Sequence, residues 1–144
     1  MRLFFSIIFL YFLFLIQVSC NSFPLDLTIL GLIIFSLHET AINSLILGIW
    51  SGLLLGLVNP INLGFHIFVM TIIAYASNSI HRFIYKQRVY LIGMLLVALI
   101  FKYLVGLIMT PSPMRFISWL LSVIVLTAIA LPLEILITKL FYRQ

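Results

Sequence analysis

TAINSLILGIWSGLLLGLV, Thr40–Val58, is a run of nineteen residues without one charged side chain. At about 1.5 Å per residue, a helix of that length reaches about 28 Å. That is close to the roughly 30 Å hydrocarbon thickness of a bilayer. The run stops at Asn59-Pro60-Ile61-Asn62, a turn-forming string whose proline lacks a backbone donor.

Working outward, the same unit recurs. Apolar runs predict further helices at Leu3–Ser19, Phe23–Leu37, Leu63–Ile80, Val89–Met109 and Met114–Leu140. Thr110-Pro111-Ser112-Pro113 separates the last two. Ser36–Thr40 divides the second helix from the third with neither Gly nor Pro. Phe23–Leu37 is the shortest, and is expected to tilt little or to thin the membrane locally. Hydrophobic residues make up 65% of the 144-residue chain and charged residues 8%. A soluble domain carries about a quarter charged residues, so eleven such side chains do not cover a water-facing surface. The expected fold is all-α: a polytopic transmembrane helical bundle of six spans, with residues 1–144 as a single domain and the lipid bilayer as its solvent.

Charge orients this bundle. With a cytoplasmic amino terminus, the cytoplasmic side collects Arg2, Arg82, Lys86, Arg88, Lys139 and Arg143, and the outer side keeps Arg115. That bias places both termini in the cytoplasm. The basic residues mark helix ends and form no continuous face, which argues against nucleic acid as a partner. Cys20 is the single cysteine, so neither an internal disulfide nor a cysteine-based metal site is expected. Arg2, the apolar run Leu3–Ile16 and Ser19-Cys20 imitate a signal peptide. A lipoprotein cleavage site wants an aliphatic residue three before the cysteine, where Gln17 stands. The first helix is therefore expected to be retained; cleavage would leave five spans.

Ionisable groups inside a membrane are costly and mark function when present, and the supply here is thin. Asp26 belongs to the outer end of the second span, and Glu39 and Glu134 to cytoplasmic ends. His38-Glu39-Thr40-Ala41-Ile42 begins like a zinc-protease helix, but Ile42 stands where the second histidine belongs. His66 and His81 lack an acidic or cysteine partner at ligand spacing, so no metal, cofactor or catalytic residue is expected. Lys102 lies within the fifth span. It either snorkels to the outer interface beside Tyr103 or pairs with Asp26, which the topology puts in the same leaflet. Ser44, Gly48, Gly52 and Gly56 place a small residue at every fourth position of the third span. Such a row admits a close helix, either from this chain or from a partner protein. Pro132 is expected to interrupt and kink the last helix, with Glu134 just beyond.

Taken in order, these features resemble the bacterial rod-shape-determining membrane protein family MreD. The resemblance runs through Gln17-Val18-Ser19, through Pro24-Leu25-Asp26-Leu27, and through Gly48-Ile49-Trp50-Ser51-Gly52-Leu53-Leu54-Leu55-Gly56-Leu57. It continues in Leu63-Gly64-Phe65-His66, a basic turn and the final helix with Pro132. Leu25 is inserted into the family's Pro-Asp pair, and Gly56 stands where many members have aspartate. The resemblance implies a non-enzymatic scaffold of the cell-wall elongation complex in the bacterial cytoplasmic membrane. It would bind an MreC-type protein and, indirectly, MreB filaments and RodA with its transpeptidase. It also implies a fold similar to the substrate-binding subunits of energy-coupling-factor transporters. A vitamin-binding subunit of such a transporter is the alternative function. Those subunits dock through small residues in the first helix, whereas Leu3–Ile16 offers Ser6 alone. A membrane enzyme acting on lipid-linked precursors is the third possibility, with Glu39 and Glu134 as its one candidate pair. For a scaffold, the outer end of the third span and the Asn59–Asn62 turn are expected to lie near the partner.

Overall fold

A computed structural model describes residues 2–19, 26–58, 60–81, 87–109 and 114–139. Cys20, Phe23, Pro24, Asn59, Arg82, Lys86, Thr110–Pro113, Leu140 and Arg143 lie outside them. The described chain is helical throughout: α1 (Arg2–Ser19), α2 (Leu27–His38), α3 (Ala41–Val58), α4 (Leu63–His81), α5 (Gln87–Met109) and α6 (Met114–Ile137), with a 3-10 turn at Pro60–Asn62. Two stretches, Ala41–Val58 and Trp119–Ile137, are long and apolar enough to cross a membrane. The apolar parts of the other four helices are shorter.

The second helix departs from expectation. It has 12 residues, about 18 Å of rise, which does not reach across a bilayer core. Every residue from Leu27 to Leu37 is buried. A helix that is apolar all round is a core helix or a span, and α2 is the core: it packs against α1, α3, α4, α5 and α6. Its two-residue link to α3 contains neither Gly nor Pro. Glu39 leaves the helix in extended backbone (φ −99°, ψ 169°) while its N–H donates to Phe35 O at 3.0 Å. Thr40 then starts α3, its Oγ1 accepting from Asn43 N at 3.4 Å, as N-cap threonines do.

Around α2 each helix buries one stripe and exposes another. On α1, Ser6, Leu10, Leu13 and Phe14 turn inward while Phe4, Phe5, Ile8 and Phe12 turn outward. On α5, Leu91, Leu95, Ala98 and Leu99 are buried while Val97, Ile100 and Leu104 are exposed. On α6 the inner stripe is Ser122, Leu126, Ala130, Glu134 and Ile137, at the three-to-four spacing of one helix face. Pro132 does not interrupt α6, which runs unbroken from Met114 to Ile137. Its ring sits on the exposed side.

α3 and α4 form the tightest antiparallel pair. A Cβ added to Gly48 would lie 2.8 Å from Thr71 Cα and 3.0 Å from Ala74 Cβ. One added to Gly52 would lie 2.8 Å from Ile67 N and 2.9 Å from His66 O. One added to Gly56 would meet the Leu63 side chain, with Leu63 Cα at 3.2 Å. Backbone touches backbone along this seam because glycine has nothing to keep it away.

Candidate functional site

The glycine seam settles where one candidate surface lies. Ser44, Gly48, Gly52 and Gly56 are all buried, and the three glycines face α4. That row is occupied by the chain's own helix and presents no groove to another protein. Gly64, two residues into α4, has open space around the position of a Cβ. Pro60, in the turn before it, is exposed.

Polar side chains gather at the two ends of the bundle. At the end holding the start of α2, Asp26 closes the first turn with its backbone, its carbonyl accepting from Ile29 N at 3.1 Å and Leu30 N at 3.3 Å. Its carboxylate makes no cap bond and instead accepts a hydrogen bond from Lys102 Nζ across 76 positions of chain. Both side chains keep some exposed surface, 34% for Lys102 and 18% for Asp26. His66 stands near the start of α4, at this same end. Its ring meets Phe65 edge-on at 6.2 Å. Gln17 Oε1, from the last turn of α1, accepts from Thr28 N at 3.0 Å and Thr28 Oγ1 at 2.7 Å. Trp119 Nε1 donates to Leu99 O at 3.1 Å, and its ring lies 5.0 Å from that of Tyr103. Gln17, Asp26, His66 and Lys102 thus share one end, where Gln17 bonds Thr28 and Lys102 pairs with Asp26 across helices.

At the opposite end, Asn78 of α4 holds the finish of α2. Its Nδ2 donates to Ser36 O at 2.8 Å and to Glu39 O at 2.6 Å. Ser44 Oγ donates to the same Ser36 carbonyl at 3.4 Å. Tyr90 OH, from α5, donates to Ser77 O at 2.9 Å. The His38-Glu39 pair makes local contacts: His38 Nδ1 lies 2.9 Å from Ile34 O, and Glu39 Oε2 accepts from Asn43 Nδ2 at 2.8 Å. Glu134 is 6% exposed on the inner stripe of α6. Among the described residues no three His, Cys, Asp or Glu side chains come together as a metal site would require.

Asn78, Thr28, Tyr90 and Trp119 escape a reading of the sequence. The signal for each is a hydrogen-bonding side chain inside an apolar run, which needs a partner. Sequence does not say which, because the acceptors of Asn78, Tyr90 and Trp119 are backbone carbonyls of other segments. No family model matches the chain, and neither does any curated protein or solved structure.

Proposed function

We infer that this chain is a multi-pass membrane subunit, with both termini in the cytoplasm, that works as a scaffold by binding a second membrane protein. The observation that carries this reading is the outer surface of the bundle. Phe4, Phe12, Ile42, Leu57, Phe68, Val97, Ile117 and Ile124 each expose more than half of their area, and they come from five different helices. A water-soluble monomer does not display apolar surface on every side; a bundle dissolved in hydrocarbon does. The shorter helices fit the same setting where the bilayer thins around them beside α3 and α6.

The interior supports assembly over chemistry. Asp26 with Lys102, Gln17 with Thr28, Asn78 with Ser36 and Glu39, and Tyr90 with Ser77 are spent on joining helices. Such polar contacts fix helix register in lipid. The resemblance to MreD supplies the specific role: a component of the bacterial cell-wall elongation complex that binds an MreC-type protein. With the α3 glycine row occupied, we place that partner on the aromatic outer face of α1 or at the exposed Pro60. Three measurements test the reading. The chain should fractionate with the cytoplasmic membrane and resist carbonate extraction. Its depletion from a rod-shaped host should round the cells, and the MreC-type protein should co-purify with it from detergent. Unchanged rods, or purification without that partner, would refute the scaffold role.

A further inference from the structure

Five buried side-chain polar atoms among the described residues have no hydrogen-bond partner: Ser36 Oγ, Trp50 Nε1, Asn78 Oδ1, Glu134 Oε2 and Thr138 Oγ1. Trp50 lies midway along α3. The other four belong to one end of the bundle. Ser36 is two residues before the last of α2, Asn78 three before the last of α4, and Glu134 three before the last of α6. Thr138 follows Glu134 by one turn, and α2 packs against both α4 and α6. The opposite end, with Gln17, Asp26, Lys102 and Trp119, has these side chains partnered.

The chemistry of the four atoms is one-sided. Asn78 Nδ2 already donates to two carbonyls, which fixes the amide orientation and leaves Oδ1 as a pure acceptor. Glu134 adds a carboxyl group with its Oε2 unmet. The two hydroxyls serve as donor or acceptor. What is missing is therefore a donor of several hydrogens, favoured if cationic. Four oxygens fall short of the six to eight that a calcium ion takes, whereas an ammonium group offers three N–H donors to acceptors spread over three helices. On α6, Glu134 lies between a proline and a change of helix type. Pro132 removes a backbone donor, and the helix widens into a π turn at Thr138 and Lys139, a feature frequent at functional sites.

We propose that Glu134, Asn78, Ser36 and Thr138 form a site for a protonated primary amine at the cytoplasmic end of the bundle, supplied by an ethanolamine lipid headgroup or by a small soluble amine. The site rests on the reading of the bundle as membrane-embedded with that end cytoplasmic. The test uses the full chain in nanodiscs containing equal phosphatidylethanolamine and phosphatidylcholine, whose quaternary headgroup has no N–H. Lipid retained on the protein is counted by native mass spectrometry. A second arm adds free ethanolamine to detergent micelles without either lipid and follows thermal unfolding. Retention of phosphatidylethanolamine at about tenfold over phosphatidylcholine, lost in Glu134→Gln and reduced in Thr138→Val, supports the lipid source. A rise in melting temperature with ethanolamine, lost in the same variants, supports the soluble one. Equal retention of the two lipids together with no response to ethanolamine overturns the site, as does an undiminished preference in Glu134→Gln. If Glu134→Gln does not fold, Thr138→Val and Asn78→Leu carry the comparison. Recovery of folded chain without any amphiphile would end the membrane reading alone, because the ethanolamine arm needs no bilayer.

Discussion

Alanine placed at the glycines of this chain should act with opposite sign depending on which helix face receives it. At Gly52 the new Cβ would fall 2.8 Å from Ile67 N and 2.9 Å from His66 O, against 3.4 Å for ordinary contact. The obstacles are backbone atoms, so no rotamer change relieves them and α4 must retreat by about half an ångström or more. Over-packing of this kind costs about 1–3 kcal/mol. At Gly93, in the second turn of α5, a Cβ meets nothing within 4 Å, so alanine there keeps only its helix-forming gain of about 0.5–1 kcal/mol. That gain applies at both sites and cancels in the comparison. Gly52→Ala should therefore melt about 2–12 °C below Gly93→Ala, at about 2–4 °C per kcal/mol for a chain of this size. Gly48→Ala should follow Gly52→Ala, since its Cβ also meets backbone, Thr71 Cα at 2.8 Å. Gly56→Ala should be milder, because its closest obstacle is the mobile end of the Leu63 side chain. Fluorescence of Trp50 and Trp119 in detergent-purified protein reports the transitions. Gly52→Ala melting at or above Gly93→Ala would refute the close α3–α4 seam.

Asp26→Lys and Lys102→Asp should each lower the melting temperature by placing like charges together, and the double swap should recover most of the loss. The native pair is partly exposed and is therefore worth about 1 kcal/mol; a double variant no better than the singles would remove the pairing. Asn78→Leu strips the donor from Ser36 O and Glu39 O and should cost about 1–3 kcal/mol in unfolding measurements, a larger effect than Asn43→Leu at the exposed start of α3. Tyr90→Phe keeps the ring and loses the bond to Ser77 O, for an expected cost of about 0.5–1.5 kcal/mol. A neutral Tyr90→Phe would show that the hydroxyl carries no part of the α4–α5 junction.

How far such features are legible in sequence depends on what specifies them. Thr40–Val58 announces a helix because length, apolarity and the Asn-Pro stop agree, and α3 ends at Val58. Asp26 and Lys102 lie 76 positions apart, yet alternating helix direction puts both at one end of the bundle, so the pair is within reach of a topological argument. The glycine row is legible as a close contact but not as a contact with α4. Any helix with a flat face would serve it, and only the folded chain shows Ile67 and Thr71 pressed against it.

The second helix shows where hydropathy loses its power. Leu27–Leu37 is as apolar as a span, because hydrocarbon and a protein core ask for the same side chains. What separates the two is surroundings: α2 exposes none of those eleven residues, whereas α3 alternates buried Leu47 and Leu54 with exposed Ile42 and Leu57. A helix wrapped on all sides also needs its ends closed by others, since its terminal carbonyls and amides have no access to solvent. Gln17 supplies an acceptor at one end and Asn78 donors at the other. Those two side chains stand out in sequence as isolated amides within apolar helices. Their meaning emerges once α2 is seen to be too short and too buried to satisfy its own ends.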